Sequence, residues 1–248
     1  ADYVDIAPEA AAAFSGIAAY TSGSMALTAE SEPIRVSGQL VSANYFGVLG
    51  TRLSLGRGFL PDEGRAPGAS PVVVLGERLW RDRFGSDPGV IGESVVLNGH
   101  PFTVVGVAPD GFVGVSIEEP AELWVPATMQ PVALPRGVAD VFGNRNLSIF
   151  QLVGRVREGV ALDEASAVLG VIADRVDALE PTRHSPLGAD LVPLRGWVSL
   201  EQAKQILPVI GFAWVITALL LVIACANVAN LLLSRAVGRR REIGIRLA

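Results

Sequence analysis

The chain has 248 residues, half of them apolar, with 20 basic against 25 acidic side chains, a net charge of −5 and a pI of about 5.1. Net acidity argues against a nucleic-acid surface, which needs clustered basic groups, and the apolar content argues against disorder. A single cysteine, Cys225, excludes an internal disulfide.

Taken in order, residues 3–14 predict a short helix, with Pro8 near its start and alanines following. Residues 14–28 read as extended, with small and β-favouring side chains. Residues 34–41 alternate, Ile34, Val36, Gly38 and Leu40 against Arg35, Ser37 and Gln39, which predicts a half-buried strand. Ser42 is placed to cap a short helix holding Tyr45, Phe46, Val48 and Leu49, and Gly50 to end it. Residues 53–68, rich in Gly, Arg and acids, read as a surface loop. Residues 71–75 predict a buried strand, and residues 77–84 a short helix offering Leu79, Trp80 and Phe84 to a core.

The clearest local signal follows a turn at 85–89. Two apolar runs, 94–97 and 102–107, flank Asn98-Gly99, the preferred central pair of a tight hairpin. Residues 109–120 read as a loop, 122–126 as a short edge strand, and 127–146 as an exposed connection. Residues 147–157 alternate as a strand. Residues 162–179 predict a helix, because Leu162, Ala165, Leu169, Ile172, Val176 and Leu179 recur at three- and four-residue steps. Asp163 and Glu164 suit its first turn. A last short strand is expected over 190–194. Ser199 opens a final helix, with Gln202 in capping-box position and Pro208 as a bend. Trp80, Trp124, Phe46 and Phe112 are expected in cores or seams.

Residues 207–233 carry no Asp, Glu, Lys, Arg or His, and 22 of the 27 are apolar. As a helix the run is roughly 40 Å long, against roughly 30 Å for a bilayer's hydrocarbon core. A core helix of a soluble domain is the alternative, but it would show a polar face. Arg235, Arg239, Arg240, Arg241 and Arg246 follow, against Glu242 alone. Residues 207–248 therefore carry +4 and residues 1–206 carry −9. Short arginine-rich flanks stay inside, so the tail is expected in the cytoplasm and residues 1–206 outside it. Asn227, Asn230 and Ser234 share one helix face near the inner end, which suits packing against other helices, for Asn227 above all, or a place at the headgroup level facing water, equally open for Ser234. The abrupt start and end read as those of a fragment.

Enzyme chemistry finds little support. His100 and His184 have no partners at metal or triad spacing. Gly56-Arg57-Gly58 is followed by Pro61 where a dinucleotide fingerprint needs Gly or Ala. No Walker A motif is present, and Lys204 is the sole lysine. The acid pairs Asp62-Glu63, Glu118-Glu119 and Asp163-Glu164 read as solvated surface. No enzyme activity, ATP hydrolysis included, and no cofactor or metal is expected.

The run ACANVANLLLSR at 224–235, followed by RRREIGIRLA at 239–248, resembles FtsX-like ABC-transporter permeases. The likeness is strongest to the MacB type and to the duplicated orphan permeases of acidobacteria. Upstream, QLVSANYFGVLG at 39–50, Gly56-Arg57, VVLNGHPFTVVGV at 95–107 and ELWVP at 122–126 resemble the MacB-like periplasmic core domain, in one consistent order along the chain. The family often has Thr or Ser where Ala161 stands, a missing cap worth on the order of 1 kcal/mol.

The resemblance implies an α+β, MacB-like periplasmic core of two subdomains over 1–198. An amphipathic entry and long transmembrane helix follow over 199–234, and a cytoplasmic coupling segment over 235–248. It further implies a permease subunit in a bacterial inner membrane, working in pairs or with a homologous half. Arg239, Arg240, Arg241, Glu242, Ile243, Ile245 and Arg246 would dock on an ABC ATPase subunit, and a periplasmic protein is a further possible partner. The function implied is efflux or mechanotransmission. The competing class is a single-span sensor with an outer ligand-binding domain, which would continue into a heptad-patterned signalling helix rather than further apolar spans. From charge alone, an arginine cluster anchored at lipid headgroups is the lesser alternative.

Overall fold

Strand β1, Phe14–Thr28, is the spine of the domain: different partners pair with its first half, its second half and its end. The computed structural model describes residues 2–28, 32–116, 119–134, 149–179, 187, 191–194, 211–212 and 214–229. Ahead of β1 lies α1, Asp2–Glu9, which tightens into a 3-10 turn at Ala10–Ala12. Pro8 sits at the end of α1 rather than near its start. The second half of β1 pairs antiparallel with β2, Ile34–Val41, from Tyr20↔Val41 to Leu27↔Ile34.

After α2, Tyr45–Leu49, come β3, Leu55–Gly56, β4, Val72–Leu75, and α3, Glu77–Phe84. The hairpin β5, Ser94–Leu97, and β6, His100–Val107, follows as its Asn-Gly signal required. Asn98 and Gly99 both have positive φ, 49° and 84°, the geometry of a primed two-residue turn. Then come β7, Leu123–Pro126, α4, Gln130–Ala133, β8, Gln151–Val156, and α5, Leu162–Leu179.

The sheet runs β2-β7-β4-β6-β5-β1-β8, and β2 also pairs with β1. Six strands therefore return on themselves as a closed ring, which leaves them no free edge. Inside it pack Met25, Leu27, Leu40, Leu75, Leu97, Phe102, Val104 and Leu123, all nearly or fully buried. The β1–β5 seam is short, Leu27↔Leu97 and Thr28↔Val96. Asn98 extends it: its Oδ1 accepts from the Ala26 N–H at 2.8 Å and its Nδ2 donates to the Ala133 carbonyl of α4 at 2.7 Å. Outside the ring, α2 lays Tyr45, Phe46 and Val48 on Val74, Val105 and Trp124. The first half of β1 pairs with β8 and carries α1 and α5, where Ile6, Phe14, Ile17, Ala165, Ile172 and Val176 form a separate core.

Several local expectations are corrected. β7 is no edge strand: it lies between β2 and β4, and its four residues are buried. Pro126 is tolerated because it ends the strand, where a missing N–H costs little. Residues 53–68 are not wholly loop, since β3 pairs with β6. Residues 127–133 are not an exposed connection: Thr128, Met129, Gln130 and Ala133 are buried in a 3-10 turn and α4. Ser42 does not cap α2, whose N-cap is Asn44, without a side-chain bond. Leu162 is exposed, although Ala165, Ile172 and Val176 of the same stripe are buried and Leu169 is half-buried. Residues 191–194 form no strand. Residues 135–148, His184 and Ser199 through Pro208 lie outside the described residues.

Residues 1–191 form one compact unit and residues 192–248 a second. In the second, residues 211, 212 and 214–229 are helical, with Phe212, Trp214, Leu219, Leu220, Leu221 and Val222 largely exposed. Among the described residues, no helix is long and apolar enough to cross a membrane.

Candidate functional site

Of the residues predicted to work at the membrane, only Asn227 lies among the described ones, where it is helical and exposed. Asn230, Ser234 and residues 239–246 lie outside them. The site that can be built from geometry is in the outer domain, around the QLVSANYFGVLG segment.

Gln39 is its centre. The alternation of β2 assigns Gln39 to the polar, outward face, yet it is fully buried, because α2 and the β7 tryptophan cover that face of the ring. A buried amide needs partners, and it has them. Gln39 Oε1 accepts from the Tyr45 hydroxyl and from Trp124 Nε1–H, both at 3.0 Å, and Nε2 reaches Ser22 Oγ at 3.5 Å. Burial raises the Tyr45 hydroxyl well above the ordinary tyrosine range, so it stays a neutral donor. One side chain thus ties β1, β2, α2 and β7 together. Gly114, at φ +85°, passes so close that a Cβ there would lie 2.4 Å from Gln39 Oε1.

A second network holds the loop before α2. Ser42 Oγ accepts from the Ala19 N–H at 3.0 Å and donates to Asn44 Oδ1 at 2.7 Å. Asn44 Nδ2 donates to the Ile17 carbonyl at 2.8 Å, and Tyr3 of α1 donates to Asn44 Oδ1 at 3.1 Å. These bonds fasten α2 to the first half of β1. Arg155 of β8 completes the fastening, its Nε donating to the Val48 carbonyl at 2.9 Å. Around these elements Phe46 meets Tyr45, Phe59, Phe112 and Trp124, with ring centroids 5.5 to 6.0 Å apart. Trp124 and Phe46 are core residues, as expected, while Trp80 and Phe112 pack partly buried at cluster margins.

Beside α2 opens a groove of about 660 Å³, with Ser15, Asn44, Thr51, Arg52, Arg57 and Arg155 among its lining. Arg57 is clamped by Glu63, with contacts of 2.8 and 2.9 Å. Burial acts to raise the Glu63 carboxyl, but the Arg57 guanidinium and the Leu60 N–H outweigh it and hold it below the usual carboxylate range. On another face, Glu77, Asp110, Glu119 and Glu122 line a second groove, of about 630 Å³. There a hydrogen bond with Asp110 raises the Glu77 carboxyl, and Arg81 pairs with Glu77 at 3.2 Å. Among the described residues no cluster suits a metal ion, and His100 is an exposed strand residue.

Sequence reading missed Gln39, Arg155 and Ser42 in these roles. Gln39 carried no signal in its own strand, where alternation makes a polar residue look solvated; the cover comes from α2 and Trp124. Arg155 carried none, since its partner at Val48 is 107 residues away.

Closed ring, helical outer layers and polar ties define an α+β module whose buried polar groups join elements to one another. A family model described as MacB-like periplasmic core domain matches residues 1–170, and the chain belongs to that family. It is 29% identical over 209 residues to the macrolide export ATP-binding/permease protein MacB of Burkholderia pseudomallei, covering 84% of this chain and 29% of that protein. To the protein of the same name from Escherichia coli K12 it is 27% identical over 217 residues, covering 87% of this chain and 30% of that one. The chain thus spans under a third of the length of these relatives. The extracellular domain of the noncanonic ABC-type transporter YknZ from Gram-positive bacteria superposes with a TM-score of 0.50 at 16% identity, over 70% of this chain and 83% of that one. That likeness supports the fold alone.

Proposed function

We propose that these residues belong to a permease subunit of an ABC-type transporter in a bacterial inner membrane. Residues 1–206 stand in the periplasm, the helix through residues 207–233 crosses the bilayer, and residues 235–248 lie in the cytoplasm. The observation that carries the reading is the junction of a MacB-like periplasmic core domain with a 27-residue run free of charge, followed by five arginines against one acid. The exposed apolar side chains of the helical residues 211, 212 and 214–229 support it, because so many large apolar groups facing water call for lipid or other helices.

In this reading Asn227, Asn230 and Ser234 face neighbouring helices, including those of a second permease copy. Arg239, Arg240, Arg241, Glu242, Ile243, Ile245 and Arg246 form the coupling segment, whose isoleucines offer apolar contacts beside charges. The relatives' names join ATP-binding and permease functions. Here ATP hydrolysis falls to a nucleotide-binding partner, and its stroke passes through the coupling segment and helix to the periplasmic domain. The polar ties around Gln39 and Asn44 suit such a role, since a domain that transmits displacement must move as a body. The likeness to acidobacterial orphan permeases is the narrower form of the same proposal.

The test is the double substitution Glu242→Ala with Ile243→Ala in the full-length permease. It is expected to abolish co-purification of the ATPase and coupled activity, with Tm unchanged. Assembly and activity both at the unsubstituted level would refute the coupling role.

A further inference from the structure

The groove beside α2 is basic in an acidic domain. Residues 1–206 carry −9, yet three arginines line this one concavity, with Glu63 as the sole acid bound to any of them among the described residues. Glu63 is taken up by Arg57, and the other two guanidiniums are left with donors to spare. Arg155 spends its Nε on the Val48 carbonyl, which fixes the group in place and leaves Nη1 and Nη2 without an acceptor among the described residues. Gly50, at φ +70°, gives it room: a Cβ there would lie 3.2 Å from Arg155 Nη2. Arg52 is exposed and makes no hydrogen bond or ion pair among the described residues. The rest of the lining is mixed, with Ser15, Asn44 and Thr51 beside Leu53, Phe46 and Phe59.

A guanidinium held by one nitrogen presents its remaining N–H pair as a fork, the shape that grips a carboxylate or a phosphate. We propose that this groove binds an oxyanion, a carboxylate or phosphate, held between Arg52 and Arg155, with any attached apolar chain lying along Leu53 and the two phenylalanines. The site is a property of the folded domain and does not depend on membrane crossing or ATPase coupling, so its failure would leave those readings standing.

Calorimetric titration of the full chain in phosphatidylcholine nanodiscs, with empty discs as blank, tests it using hexyl phosphate, inorganic phosphate and hexanol. Hexyl phosphate is expected to bind and hexanol not to. Arg52→Gln, which removes no hydrogen bond or ion pair found among the described residues, is expected to weaken binding roughly tenfold or more, while Arg78→Gln, an exposed arginine outside the groove, leaves it unchanged. Affinity should also fall from about 50 to about 300 mM NaCl. Tighter binding of hexyl phosphate than of inorganic phosphate assigns the site to an amphiphile; equal binding assigns it to the free anion. Equal affinity in the native chain and Arg52→Gln, or binding of hexanol as tight as that of hexyl phosphate, would overturn the proposal.

Discussion

Gln39 shows how much one buried amide decides. Its Oε1 is the acceptor for both Tyr45 and Trp124, so removing it strands two buried donors rather than one. Gln39→Leu, close in volume, is expected to destabilise the domain by about 2–4 kcal/mol in urea unfolding. A loss below about 0.5 kcal/mol would show that the network contributes little. Glu63 makes a different prediction. Its carboxyl lies below the ordinary value in the folded chain, so its contribution is present above the unfolded pKa and is lost as pH falls through the folded one. Its partner Arg57 is 43% exposed, and solvent screening limits the pair to about 1 kcal/mol or less. Glu63→Gln should therefore cost about that much at pH 7 and almost nothing near pH 3, read from urea midpoints at the two pH values. An equal cost at both would contradict the assignment.

Among the elements, the ring's seam is the informative place. β1 and β5 share two register pairs, and the Asn98 side chain extends the seam to Ala26 and α4. Asn98→Gly keeps the positive φ of the turn and removes only those bonds. It is expected to cost about 1–2 kcal/mol and to speed hydrogen exchange at the Ala26 amide, without unfolding the hairpin. Unchanged exchange there would mean that backbone pairing alone closes the ring. The hairpin was legible in the sequence, as were β2, α3 and α5, because each is announced by a turn pair, an alternation or a helical stripe within a few residues. What closes the ring was not, because the β1–β5 seam and the parallel contact of β7 with β2 join residues about 70 and 85 positions apart. The β7 run misread as an edge for the same reason: with both faces buried it has no alternation to show. Gln39 misread because a polar residue on an alternating strand looks solvated until α2 and Trp124 cover it. The groove arginines were invisible as a group, since Arg52 and Arg155 meet only in the fold.

At the scale of the whole molecule, the proposed arrangement is a folded outer domain leading into an apolar helix and a basic tail. It requires that residues 1–206 and residues 235–248 lie on opposite sides of a lipid bilayer. Cys225 is the sole cysteine of these residues, so Cys225→Ala, with any cysteine elsewhere in the full-length protein also replaced, clears the background for single-cysteine labelling. Arg78, on α3, is 84% exposed and reports on the outer domain; Arg239 reports on the tail. In intact cells with a permeabilised outer membrane, a membrane-impermeant maleimide is predicted to label Arg78→Cys at once and Arg239→Cys only after lysis. Labelling of both positions before lysis, or of Arg239→Cys alone, would contradict the account.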